Sequence, residues 1–290
     1  VRFSKYQALG NDYIVIDAAD VAANLTPRRI RHICHRHFGV GSDGILLGSM
    51  VAGVGGYHLR IFNPDGSEAE KSGNGIRIFC KYLWEQGRVG SEPFVVLTKG
   101  GQVRCRVRQG GKIVTVEMGK VSFDSRQIPV TGDDREVLNE SIAVGGKRFR
   151  YCAATVGNPH CVMLGAEVSK EETCQYGPLI ETDARFPHRT NVQFMETVDR
   201  GNVRIEIWER GAGYTLASGS SASAAAAVAF RLGLCDAGIT VHMPGGRVGI
   251  TVGEDYAITM TGPAARVFEG VLPDFAATVR TSERSCHDRL

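Results

Sequence analysis

Apolar and polar positions alternate with a period of two along much of this chain, and only a few stretches switch to the helical period. Residues 2 to 17 alternate loosely around Leu9, Gly10, Asn11 and Asp12, which predicts a hairpin whose polar turn carries Asn11 at its tip. Thr26-Pro27 offers an N-cap and a proline at the first helical position, opening a helix expected to run to about His37. Strand patterns follow at 45–47 and 57–62, the second stopped by the turn signal Asn63-Pro64-Asp65-Gly66. Ser72-Gly73 then leads into an amphipathic run over 76–86, read as a helix, and strands are expected at 94–98, 102–107 and 113–118. From 119 to 150 the pattern turns irregular and polar, which sets a boundary near residue 120. Strands resume at 150–155 and 161–164, on either side of Gly157-Asn158-Pro159-His160, and again at 191–195 and 203–208.

The next stretch, Glu209-Arg210-Gly211-Ala212-Gly213 through Ser218-Gly219-Ser220 to Ser223, is a polar, glycine-rich loop opening a run of small residues, 222–229, with helix character. Strands at 239–243, 247–252, 256–261 and 265–270 complete the pattern, and 281–290 reads as a polar tail. Each half thus contains strands, a polar loop, a Ser-Gly step, a helix and more strands, and the two steps lie 146 residues apart, at 72 and 218. Duplication explains this economically. A helix start carries four unpartnered N–H groups and the positive end of the helix dipole. Two halves meeting across a pseudo-twofold axis would bring both starts to one cleft, facing one small anionic ligand.

Composition narrows the classes. The 290 residues, 43% hydrophobic and 22% charged, suffice for two units with proper cores. The net charge of +3, from 34 basic and 31 acidic residues spread evenly, leaves no basic stripe, so nucleic acid is not an expected partner. No stretch approaches 18 apolar residues and the first residues lack a signal-peptide pattern, so a cytoplasmic location without a membrane partner is the default expectation. The eight cysteines (Cys34, Cys80, Cys105, Cys152, Cys161, Cys174, Cys235 and Cys286) include no C-x-x-C pair and read as reduced and mostly buried. His32, His35, His37 and Cys34 lack a matched ligand pair at zinc spacing, so no metal is expected. Gly39 to Gly44 matches G-x-G-x-x-G, but it follows a helix and precedes a strand, the reverse of a dinucleotide-binding turn.

Several segments together carry a resemblance. Gly10-Asn11-Asp12, Phe62-Asn63 with Asp65-Gly66-Ser67, Ser72-Gly73-Asn74-Gly75, Gly157-Asn158-Pro159-His160, Asn191-Val192, Glu209-Arg210-Gly211-Ala212-Gly213 and Ser218-Gly219 occur in the order and spacing of the diaminopimelate epimerase family. The chain resembles that family over almost its whole length. The resemblance implies an α+β fold of two pseudo-symmetric halves, each a curved, mostly antiparallel, barrel-like sheet around a central helix. The halves would be 1–120 and 121–264, with a strand from 265–280 returning to the first half and a tail at 281–290. It further implies an amino-acid isomerase that needs no cofactor, including pyridoxal phosphate, works in lysine biosynthesis and converts LL- to meso-diaminopimelate or acts on a related amino acid. A homodimer is consistent with it.

In that family two cysteines flank the substrate's α-carbon, one removing the proton as thiolate and the other returning one to the opposite face. The matching positions here are Ser72 and Ser218, and a hydroxyl is a far weaker acid than a thiol, so turnover is expected to be impaired or altered. By the same resemblance Asn11, Asn63, Asn158, Asn191, Glu209 and Arg210 hold the distal ammonium and carboxylate, while N–H groups of Gly73, Asn74, Gly219 and Ser220 take the reacting carboxylate; His160 supports the set. The residue types suit a zwitterion, since arginine forks a carboxylate and glutamate accepts from an ammonium. A polar contact of the family falls at Gly44, which has no side chain to make it, so a looser fit is expected there. Taken singly, Ser72 and Ser218 also suit plain N-caps, worth about 1 kcal/mol each. An amino-acid-binding relative without epimerase activity, or an enzyme with other chemistry on a related amino acid, is the alternative.

Overall fold

A computed structural model describes residues 1–20, 25–50 and 56–272; the expected tail at 281–290, Cys286 and positions 273–280 lie outside the described residues. The chain begins with β1 (Arg2–Ala8), β2 (Asn11–Asp17), α1 (Pro27–Cys34), β3 (Ile45–Met50), β4 (Tyr57–Phe62), β5 (Glu68–Ala69), α2 (Gly73–Glu85), β6 (Phe94–Thr98), β7 (Gly101–Arg108) and β8 (Ile113–Lys120). It continues through β9 (Glu140–Val144), β10 (Lys147–Thr155), β11 (Pro159–Gly165), α3 (Lys170–Glu181), β12 (Asn191–Asp199), β13 (Asn202–Glu209) and β14 (Gly213–Thr215). The last elements are α4 (Gly219–Arg231), β15 (Gly238–Met243), β16 (Gly246–Val252), β17 (Ala257–Gly262) and β18 (Ala265–Val271).

Strand pairing repeats. The order β1, β2, β3, β4, β6, β7, β8 uses the same ladder types as β10, β11, β12, β13, β15, β16, β17, with parallel pairs only at β2/β3 and β4/β6 in the first and at β11/β12 and β13/β15 in the second. β8 and β17 pair with each other and join the two sets. β18 then pairs with β1 as β9 pairs with β10. This is a largely antiparallel α+β architecture.

The central helices are buried for different reasons. α2 presents Ile76, Ile78, Phe79, Cys80 and Leu83 to the strands around it, and apolar burial supplies its stability. α4 has almost no large side chains; Ala222 and Ala224 through Ala229 are fully buried, so the strands around it approach its backbone closely. Both helices belong to one continuous apolar core.

Four expectations need correction. Asn11 is not a turn tip: Leu9 and Gly10 form the two-residue turn with φ of 58° and 86°, and a leucine in the left-handed region hides that turn in the sequence. α1 stops at Cys34 rather than His37, because residues 39–42 fold back and donate Val40 N–H to Ile33 O and Ser42 N–H to Cys34 O. Gly39 makes this possible, since a Cβ there would lie 2.0 Å from His32 O. The irregular stretch before Arg150 contains β9 and the start of β10. α3 has no counterpart in the expected elements; its start is capped by Ser169, whose Oγ accepts from Glu172 N–H at 3.1 Å.

Candidate active site

Ser72 and Ser218 are the N-caps of α2 and α4. Each Oγ accepts a backbone N–H three residues on, from Gly75 at 3.1 Å and from Ser221 at 3.4 Å. The following glycines bring the two helix starts against each other: a Cβ on Gly219 would lie 3.4 Å from Gly73 Cα and 3.1 Å from Met260 Sδ, and one on Gly73 only 2.6 Å from Met260 Cε. Two positive helix ends therefore meet at one place.

Among the described residues, neither serine hydroxyl has a base in contact. Ser72 Oγ lies 3.4 Å from the Tyr13 hydroxyl, and burial pushes the Tyr13 phenol up to about 12, so it stays protonated. Ser218 Oγ lies 3.4 Å from Ser220 Oγ. Lys71 precedes Ser72 in sequence, but its ammonium donates to Met118 O at 2.6 Å. Tyr13 also changes the picture at Gly44, where a looser fit was expected. A Cβ at Gly44 would sit 2.4 Å from Phe62 O and 2.7 Å from Tyr13 Cε1, so that space is filled by the tyrosine ring.

The amides fall into four groups. Asn74, on the first turn of α2, spends its side chain on a bridge between the two strand sets: Nδ2 donates to Asn11 Oδ1 at 3.1 Å and to Ala217 O at 3.2 Å. Asn11 in turn donates to Asp43 Oδ2 at 2.9 Å, and Asp43 is held by Arg36. Asn191, buried at the start of β12, donates to Pro159 O at 2.8 Å and accepts the Arg210 backbone N–H at 3.0 Å, so it shapes the 209–213 loop. Asn63 is tied within its own turn, donating to Ser67 Oγ at 2.9 Å. Among the described residues no side-chain hydrogen bond links it to the other candidates.

Asn158 is held by His160, which is fully buried. Burial lowers the imidazole to about 4, so it is neutral and donates a single proton. Nε2–H serves Asn158 Oδ1 at 3.0 Å; Nδ1 must then accept, which requires the Gln193 amide to turn its NH2 toward it and gives the otherwise partnerless buried Gln193 Nε2 a partner. The depressed pKa also links His160 to stability. The unfolded chain takes up this proton first, so the contribution is complete above about pH 6.5 and is lost as pH falls toward 4, by about 3 kcal/mol in all. Urea unfolding at pH 7 and pH 4.5 should show a larger acid loss for the unaltered chain than for His160→Gln; equal losses would remove His160 from this account.

Glu209 and Arg210 do not pair with each other. The Glu209 carboxylate has no hydrogen-bond donor among the described residues, and burial, with the Asp43 charge second, raises its carboxyl above the usual range. Arg210 is exposed, with one guanidinium nitrogen donating to His188 O at 3.0 Å. Their loop is fixed from below by the buried Glu181, which accepts from Trp208 Nε1 at 2.7 Å and from Gly211 N–H at 2.8 Å and also pairs with Arg189. Tyr13, Asp43 and Glu181 were not singled out from sequence, because each acts through a contact distant along the chain. Among the described residues no cluster of three or more His, Cys, Asp or Glu side chains is placed to hold a metal ion, and no helix is long and apolar enough to cross a membrane.

Comparison with known proteins finds matches over most of the chain. The family described as Diaminopimelate epimerase matches residues 3–123 and 152–267. The chain is 56% identical over 272 residues to Diaminopimelate epimerase 2 of Nostoc sp., covering 94% of this chain and 95% of that protein. It is 38% identical over 278 residues to Diaminopimelate epimerase of Moorella thermoacetica, covering 94% and 99%. Among solved structures, a probable proline racemase from Agrobacterium radiobacter superposes with a TM-score of 0.69 at 16% identity, covering 94% of this chain and 92% of that one. A hydroxyproline epimerase from Agrobacterium vitis, solved with trans-4-hydroxy-L-proline, gives 0.67 at 16%, covering 93% and 90%.

Proposed function

Since the chain belongs to the diaminopimelate epimerase family of cofactor-independent amino-acid isomerases, we propose that its cleft binds LL-diaminopimelate, or an amino acid with the same two charged ends, with the α-carbon between Ser72 and Ser218. The observation that carries this reading is the meeting of two serine-capped helix starts across Gly73 and Gly219. The backbone N–H groups of Gly73, Asn74, Gly219 and Ser220 would receive the reacting carboxylate and stabilise the negative charge that grows there when the α-proton leaves. At the other end Arg210 would fork the distal carboxylate and Glu209 would take the ammonium, with Asn11, Asn63, Asn158 and Asn191 supplying or bracing the remaining contacts. An arriving ammonium would favour the ionised form of Glu209, which burial now disfavours.

Inversion itself needs one group to take the α-proton and another to deliver a proton to the opposite face. The hydroxyls at 72 and 218 have no base in contact among the described residues, which favours as second reading a relative that holds the amino acid without inverting it. Calorimetric titration with LL-diaminopimelate, together with loss of its α-proton signal in D2O, separates the readings. Binding with exchange above the blank supports the epimerase; binding without exchange supports the second reading; absence of binding removes both. As to partners, we infer a homodimer through β18. Among the described residues that strand is paired on one side only, and it leaves Val267, Phe268 and Val271 exposed; molar mass in solution decides the matter.

A further inference from the structure

Arg77 carries its guanidinium into the core of this fold. It sits fully buried on α2, and no carboxylate among the described residues lies within ion-pair distance. Its guanidinium has only neutral acceptors: Asn74 Oδ1 at 2.9 Å, Met260 Sδ at 3.0 Å and Pro263 O at 3.4 Å. Burial lowers it to about 10, so it remains a cation at neutral pH. A buried unpaired charge is unfavourable, and a cation near a helix N-terminus opposes the helix dipole as well. Both penalties are relieved by the same thing, an anion at the start of α2. The equivalent place on α4, five residues after Ser218, is Ser223, whose Oγ merely returns to Gly219 O at 2.8 Å. The charge therefore belongs to one half of the site only.

We propose that Arg77 is a positioning residue for the carboxylate of the bound amino acid, acting from behind through Asn74. Its NH2 group fixes Asn74 Oδ1, which turns both N–H bonds of that amide to Asn11 and Ala217. The two halves are thereby held in the spacing at which the backbone N–H groups of Gly73 and Gly219 converge. The uncompensated cation adds to the positive potential of the helix start, so the anion it awaits is the ligand. This rests on the functional reading above, and it assigns the α2 side of the cleft as the stronger carboxylate anchor.

The test uses the full chain and three variants. Arg77→Met removes the charge at similar volume, Arg77→Gln does so where the methionine variant does not fold, and Arg77→Lys keeps the charge. With LL-diaminopimelate as probe, the neutral variant should bind about tenfold or more weakly without a lower melting temperature, and the lysine variant should recover most of the affinity. Unchanged affinity, or equal losses in both variants together with a lower melting temperature, would make Arg77 a packing residue. Should the unaltered chain bind no diaminopimelate, the functional reading fails, and acetate decides Arg77 separately. A rise in melting temperature with acetate that is lost in the neutral variant upholds the assignment; an equal rise in both overturns it.

Discussion

Ser72→Cys/Ser218→Cys is expected to exchange the α-proton of LL-diaminopimelate in D2O at least about 10³-fold faster than the unaltered chain at pH 8. An ordinary thiol ionises near pH 8.5 and lower at a helix N-terminus, whereas a hydroxyl without a base in contact is not ionised usefully at any physiological pH. Both positions are N-caps whose side-chain atom already receives a backbone N–H, from Gly75 and from Ser221. The same donors would stabilise a thiolate. At position 72 the protonated Tyr13 hydroxyl adds a further donor. Each single cysteine variant should recover much less, because one face would still lack its acid or base, and the pair should be strongly non-additive. NMR following exchange and stereochemical conversion together is the measurement. If the serine chain already exchanges as fast as the double variant, a base other than residues 72 and 218 performs the chemistry, and the proton-transfer assignment of this cleft is wrong.

How much of this was legible depended on distance along the chain. The paired Ser-Gly steps announced both central helices, because an N-cap and its glycine act on the next turn and leave a local trace. Strands such as β4 and β7 were legible from period-two alternation. β9 was not, because a five-residue strand inside a polar stretch leaves too short a pattern, and α3 was not, because its apolar face is weak and Pro178 lies within it. Within the candidate site, Glu209 and Arg210 stand out in sequence, but what shapes their loop does not. Asn191 and Glu181 reach it from 19 and 30 residues away. The filling of Gly44 by Tyr13 likewise joins residues distant along the chain. Arg77 reads from sequence as one more charge on an amphipathic helix; only its full burial, with no counter-ion among the described residues, marks it out.

Arg210→Met should weaken LL-diaminopimelate binding by about 10²- to 10³-fold while leaving the melting temperature unchanged. The separation follows from where the residue sits. Its backbone is built into the fold through Asn191, but its side chain is exposed and donates to the chain at His188 O, so truncation costs the fold little. A bound carboxylate, by contrast, would lose a forked pair of charge-assisted hydrogen bonds. Arg210→Lys should recover only part of the loss, because a point charge does not reproduce the fork. Glu209→Gln supplies the complementary signature through pH. Burial holds the Glu209 carboxyl above its usual range, and an ammonium ligand binds its ionised form, so affinity should rise with pH through that raised range and level off once the carboxylate is formed. The glutamine variant should bind more weakly and show a flatter profile over the same range. Calorimetry at several pH values reads both effects. An Arg210→Met affinity equal to that of the unaltered chain would mean that the distal carboxylate lies elsewhere, and the orientation proposed for the ligand, with its reacting end at the two helix starts, would have to be abandoned.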